Sequence, residues 1–168
     1  RSVIAADRRR RAVIDLPHPG LAGLVRLGDR VTGRTLYDGN PIEPLVDRDS
    51  AYPAMLAAID AASRSVSIVS YIFDNDFAGH AFRAALVRAR DRGVEVRVLI
   101  DDVGSRYTKP TMVHELRQAG VPVAAFLPTR VPRLFQYANL RNHRKLMVVD
   151  GCIGFTGGMN IRAGHWRG

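Results

Sequence analysis

Three apolar runs constrain the fold of this chain more than any other feature. VSIVSYIF (66–73), VEVRVLI (94–100) and VPVAAFL (121–127) are rich in β-branched and aromatic residues and read as buried strands. The segments between them carry helical spacing. Residues 76–92 set Phe77, Phe82, Ala85, Leu86 and Ala89 on one inward face, and Gly93 stands where a helix-ending glycine belongs. Residues 110–119 form a shorter helix closing on Gly120. Ahead of the first strand, Asp49 or Ser50 can cap a helix that carries Met55, Leu56, Ile59 and Ala62. Strand and helix alternating in this way predict an α/β sheet with right-handed crossovers.

The rhythm then changes. KLMVV (145–149) and CIGFT (152–156) are joined by Asp150-Gly151, the strongest short hairpin signal. An antiparallel hairpin is therefore appended to the sheet, and a basic loop (128–142) leads into it. His143 and Lys145 stand at its start. Alternate side chains of a strand share a face, so an imidazole and an ammonium would project together, roughly 6–7 Å apart. Such a pair suits a tetrahedral anion, with the lysine as a point charge on its oxygens. Asn160 can return to the same patch as a neutral donor, and Gly157 and Gly158 let backbone amides approach a ligand closely. An imidazole beside an anion hole can attack phosphorus to give a phosphohistidine. The same spacing also describes two solvated residues at a strand end.

Charge points the same way. The chain of 168 residues has a net charge of +9, which suits a partner carrying phosphates, either nucleic acid or an anionic membrane. An arginine-rich, alanine-rich composition can also follow from genome base composition. From residue 130 onward seven basic residues face a single acid, Asp150, so the basicity gathers around the motif. Cys152 is the only cysteine, which excludes an internal disulfide and a thiolate metal cluster, and it reads as a small core residue. No apolar run reaches the length of a membrane span, and nothing resembles a signal peptide.

Organisation follows from composition. Residues 1–46 read as an arm or linker, with a basic run at Arg8 to Arg11 and frequent proline and glycine. Within it Leu16, Leu21, Leu24, Val25, Leu27 and Val31 can form a short amphipathic element, packed on the domain or lying against anionic lipid. Residues 47–168 form the regular domain. Asp101 and Asp102 end a strand, where they line a site, cap a helix or hold a loop. His165 and Trp166 fit terminal packing or a lipid interface, and Tyr71 reads as core.

The spacing His143-x-Lys145-x4-Asp150-x6-Gly157-Gly158-Met159-Asn160 resembles the H-x-K-x4-D-x6-G-S-x-N signature of the phospholipase D superfamily. DRDSAYPAMLAAIDAASRSVSIVSYIFDND, RGVEVRVLIDDVGS, NHRKLMVVDGCIGFTGGMNI and LGDRVTGRTLYDGNPIEPLVD are similar to the bacterial cardiolipin synthase branch, so the likeness runs over about residues 24–165. The resemblance implies a mixed sheet flanked by helices, with the catalytic motif on a β-hairpin. It also implies metal-independent phosphodiester exchange with no cofactor, at a bacterial cell membrane; because no run in this sequence is long enough to span one, the expected contact is peripheral. His143 would attack the phosphorus of one phosphatidylglycerol, and the hydroxyl of a second would displace it to give cardiolipin. Lys145 and Asn160 would bind phosphate oxygens, with Gly157 and Gly158 beside them. Asp150 carries over with His143 and Lys145 as a catalytic residue of the motif, while its position at the hairpin turn points to a mainly structural role.

Three departures qualify the likeness. Gly158 replaces the signature's serine. Only one copy of the motif is present, since none of His18, His80, His114 and His165 is followed two residues later by lysine. The family's carboxylate that orients the histidine lies further downstream. The expectation is the first half of a two-motif enzyme, completed by a second half of the same chain or by a homodimer partner. Two alternatives stay open: a single-motif nuclease acting as a homodimer on DNA or RNA, and phospholipid hydrolysis with water as acceptor. A third is a basic module that binds membrane or nucleic acid without catalysis.

Overall fold

The computed structural model describes residues 18–36, 39–128 and 140–164. The chain divides into two compact units, residues 1–44 and 45–168. In the first, α1 (Leu21–Thr32) covers the amphipathic stretch apart from Leu16, which lies outside the described residues. Gly33 ends it in the left-handed conformation at φ 64°, and the Thr32 hydroxyl donates back to the Gly28 carbonyl at 2.8 Å. None of its residues is buried, and Leu24, Leu27 and Val31 are exposed.

The second unit runs α2 (Arg48–Ala61), β1 (Ser65–Ser70), α3 (Phe77–Asp91), β2 (Glu95–Asp101), a 3₁₀ turn (Gly104–Tyr107), α4 (Met112–Gln118), β3 (Val123–Phe126), β4 (Leu146–Val149) and β5 (Ile153–Thr156). The sheet order is β3-β2-β1-β4-β5. β1, β2 and β3 are parallel neighbours, as crossover helices require; β4 lies antiparallel to β1, and β5 antiparallel to β4. This is the mixed sheet flanked by helices that the sequence predicts, with the motif at the hairpin.

Among the described residues a hydrophobic cluster joins the helices to one face of the sheet. Ile59, Phe82, Leu86, Met112 and Leu116 meet Val66, Ile68, Val96, Val98, Ile100, Met147 and Val149. Burial alternates along β1 and β4, so these strands are half-buried rather than covered on both sides. Tyr52 and Phe73 both meet Phe82 edge-on, with ring centroids at 5.3 and 6.2 Å.

Four local expectations are corrected. The cap of α2 is Asp47, whose carboxylate accepts from the Ser50 N–H at 2.8 Å; Ser50 completes a capping box rather than acting as the cap, and Asp49 sits within the first turn. Phe77 is 52 % exposed, because it is the first helical residue after the Asp76 cap and the buried face begins at Ala78. Cys152 is exposed, since it belongs to the hairpin turn and not to a strand interior. Tyr71 is not core: β1 ends at Ser70, and the tyrosine turns out of the sheet at its carboxyl end.

Candidate active site

The hairpin is built by its turn. Asp150 and Gly151 both have positive φ, 54° and 72°, and the Cys152 N–H donates to the Val149 carbonyl at 3.0 Å. Those are the marks of a two-residue turn whose twist matches that of the strands. The Asp150 carboxylate faces away from the motif's other residues. It accepts from the backbone N–H groups of Ser65 (2.8 Å), Ser63 (3.0 Å) and Arg64 (2.8 Å), and from the Ser63 hydroxyl (2.9 Å). These donors, the Ser65 amide foremost, hold its carboxyl well below the usual carboxylate range. Asp150 therefore ties the hairpin to the loop that opens β1.

His143 and Lys145 precede β4, at the edge where β1 ends. The Tyr71 ring joins them. It stacks on the His143 imidazole at 4.0 Å between centroids and 17° between planes, and the Lys145 ammonium lies 5.4 Å from its centroid. Lys145 Nζ also donates to the His143 carbonyl at 2.7 Å. Burial first, then the neighbouring Tyr107 and Asp101, push the Tyr71 phenol above its ordinary value, so the ring is a neutral platform near neutral pH.

Asn160 reaches the same corner from β5. Residues 160–161 run beside residues 72–74: Phe73 and Ile161 form a parallel bridge, Ile161 N–H donates to the Ile72 carbonyl at 3.1 Å, and Asp74 N–H to the Ile161 carbonyl at 2.9 Å. The Asn160 side-chain carbonyl accepts from Ile72 N–H at 3.1 Å, which leaves its amide NH2 as the end available for a ligand. Buried Tyr52 locks this tail, donating to the Asn160 carbonyl at 2.5 Å and accepting from Arg162 N–H at 3.2 Å. Gly157 and Gly158 are exposed, and a Cβ on either would meet nothing within 4 Å. The approach over them is open.

Sequence reasoning left Asp101 with several roles. The structure places its side chain against the segment that leads into the motif, fully buried. One oxygen accepts from Asn142 N–H at 2.9 Å, the residue just before the histidine; the other accepts from Val103 N–H at 3.0 Å and lies 3.7 Å from the Arg141 guanidinium. Asp102 is an ordinary loop residue, paired with Arg106. Two further polar residues, Asp74 and Arg162, carried no signal in the sequence as partners. Asp74 is 2 % exposed and paired with Arg162 at 2.9 Å; burial raises its carboxyl above its ordinary value against the pull of that arginine, and its Oδ1 has no hydrogen-bond partner among the described residues. Arg162 in turn lies over the Tyr107 ring, 5.6 Å from the centroid. His165 and Trp166 lie outside the described residues.

A proton-bearing imidazole, an ammonium and an amide NH2 thus gather at the carboxyl end of a parallel strand, on a mixed sheet with an appended hairpin. Fold and site together define a phospholipase D-like domain. The family described as "Cardiolipin synthase, PLD-like domain" matches residues 55–168, and the chain belongs to it. A cardiolipin synthase of Oceanobacillus iheyensis is 38% identical over 137 residues, which is 76% of this chain and 28% of that protein. The major cardiolipin synthase of Bacillus subtilis is 33% identical over 139 residues, 77% of this chain and 29% of that protein. The chain therefore spans less than a third of the length of these relatives. Among solved structures, the phospholipase D family member Nuc from Salmonella typhimurium superposes with a TM-score of 0.55 at 25% identity, over 73% of each chain. NucT from Helicobacter pylori shares the fold at a TM-score of 0.55 and 20% identity.

Proposed function

We propose that this domain supplies the first half of a phosphatidyl-transfer site, with phosphatidylglycerol as donor and acceptor and cardiolipin as product. The observation that carries the proposal is the convergence of His143 and Lys145 on Tyr71, with Asn160 pinned one residue away through Ile72. In the first step the imidazole nitrogen of His143 forms a bond to phosphorus. The bond to the departing glycerol oxygen breaks, and that oxygen takes a proton from a general acid in the second half of the site. In the second step the acceptor hydroxyl forms the new phosphorus–oxygen bond, the phosphorus–nitrogen bond breaks, and the same group takes the hydroxyl proton. Lys145 and the Asn160 amide bear the charge that develops on the phosphate oxygens.

Asp150 has no part in the chemistry on this reading, because its carboxylate is fully engaged with residues 63–65. The family and the identity to cardiolipin synthases support the lipid substrate. Among the described residues no helix is long and apolar enough to cross a membrane. We take membrane contact in this domain to be peripheral.

The test uses the full-length gene product with phosphatidylglycerol labelled in its phosphatidyl group. Wild-type protein should form cardiolipin and carry acid-labile label, and His143→Asn should do neither while still binding anionic vesicles. Turnover that survives His143→Asn would refute the reading. A homodimeric nuclease is the second reading, favoured by the likeness to Nuc and by the net charge of +9. It predicts cleavage of DNA or RNA with no lipid product.

A further inference from the structure

The cleft beside His143 has room and charge that the reacting phosphate does not use. It is open to solvent, offers about 570 Å³ and is lined by Phe126, Arg141, Asn142, His143 and Arg144. Its two arginines differ in kind. The Arg141 side chain is 8% exposed, lies 3.7 Å from the Asp101 carboxylate and donates to the Leu127 carbonyl at 3.3 Å, so it is committed to the scaffold. Arg144 is exposed, and its main chain is held by a hydrogen bond from its N–H to Asn142 Oδ1 at 3.2 Å. Among the described residues no hydrogen bond or ion pair engages its guanidinium. Asp101 holds Asn142 in turn, so a guanidinium without a fixed partner is carried on a fixed piece of chain at the rim of the nucleophile's cleft.

Resting on the transfer reading above, we infer that Arg144 binds the phosphodiester of the acceptor phospholipid in this cleft. The acceptor differs from water or free glycerol in one respect that electrostatics can detect. It carries a second anion, one glycerol unit from its attacking hydroxyl, toward a phosphorus that already bears negative charge. Lys145 and Asn160 are occupied by the reacting phosphate. A planar guanidinium next in sequence to the nucleophile can take the other phosphodiester in a bidentate grip, which screens the repulsion and sets the hydroxyl near phosphorus. Arg144 thereby selects a charged lipid acceptor over a neutral one.

The experiment competes acceptors in the full-length protein. Phosphatidylglycerol labelled in its phosphatidyl group is the donor; the acceptors are phosphatidylglycerol, the deacylated head group glycerophosphoglycerol, and free glycerol carrying its own distinct label, because transfer to glycerol regenerates phosphatidylglycerol. The quantity read in each variant is the rate of transfer to a phosphodiester-bearing acceptor divided by the rate of transfer to glycerol. Arg144→Ala should lower that ratio at least about tenfold for both the lipid and the deacylated head group, the size of a lost charge-assisted hydrogen bond, and Arg144→Lys should restore part of it. A ratio that stays at the wild-type value, whether both rates hold or both fall together, overturns the subsite. A fall with the lipid but not with the deacylated head group also overturns it, because Arg144 would then act on the membrane surface. Wild-type protein that transfers to neither class of acceptor refutes the transfer reading itself, and the subsite with it.

Discussion

The Tyr71 ring stacks on the His143 imidazole at 4.0 Å, with the Lys145 ammonium 5.4 Å from the same ring. One aromatic side chain thus fixes the relative position of the two groups that define the motif. A stacked aromatic pair is worth about 0.5–1.5 kcal/mol beyond its burial, or roughly twofold to tenfold in the population of the aligned imidazole. Tyr71→Ala should therefore lower kcat of the full-length enzyme by about that factor or more, with a smaller change in KM. Tyr71→Phe keeps the ring and should retain most of the activity. Equal losses in the two variants would show that the hydroxyl contact with Tyr107, not the stack, is what matters.

Asp101 predicts a different signature, because its partners are two backbone amides and a buried guanidinium. Its carboxylate holds Asn142 N–H at 2.9 Å and Val103 N–H at 3.0 Å, with the buried Arg141 guanidinium at 3.7 Å. Removing it takes the carboxylate from a buried cation, which costs about 3–5 kcal/mol. Asp101→Ala should lower the midpoint of chemical denaturation accordingly. Asp101→Asn can still accept one amide hydrogen bond and should fall between Asp101→Ala and wild type. Unchanged stability in the alanine variant would mean that Arg141 has other means of compensation.

Much of this was legible in the sequence, and the reasons are local. β-branched runs, helical spacing and Asp-Gly at a turn act over a few residues, so the order of elements and the hairpin could be read directly. The end of β1 could not. VSIVSYIF continues in strand-like residues past Ser70, and only the pairing of Phe73 with Ile161, residues far apart in the chain, decides that Tyr71 leaves the sheet and faces the motif. The same limit hid the Asp74–Arg162 pair and the grip of Asp101 on Asn142, which are contacts between distant segments. His143, Lys145 and Asn160 were legible because their spacing is itself the signal. Cys152 misled for the opposite reason: its strand-like neighbours conceal a turn position.

Glycine chemistry separates two positions near the site. A Cβ on Gly104 would lie 1.9 Å from the Tyr71 carbonyl oxygen and 2.7 Å from its carbonyl carbon, so the 3₁₀ turn approaches Tyr71 as closely as it does only because residue 104 has no side chain. Gly104→Ala must displace that backbone, and a loss of about 1–3 kcal/mol is expected, together with a loss of activity from the shifted ring. Gly158→Ser introduces a side chain into open space and restores the residue usual in the superfamily signature. It should leave the melting temperature within about a degree of wild type. A Gly104→Ala protein with wild-type stability and turnover would contradict the contact.

Asp150 gives a pH dependence whose sign follows from its partners. Its carboxyl is held below the ordinary range in the folded chain by the Ser65, Ser63 and Arg64 amides, while in the unfolded chain it titrates near the usual value of about 3.9. The folded state therefore binds fewer protons, and the stabilisation is complete above about pH 4–5. It is lost as pH falls from there toward the folded value. Asp150→Asn removes the titration and leaves a single acceptor oxygen for donors on Ser63, Arg64 and Ser65. Its melting temperature should lie below wild type by a constant amount from neutral pH down to about 5, and the gap should narrow on further acidification. The comparison needs only thermal melts of the two proteins at a series of pH values. A gap that widened toward acid would mean that the carboxylate is not the group those amides stabilise.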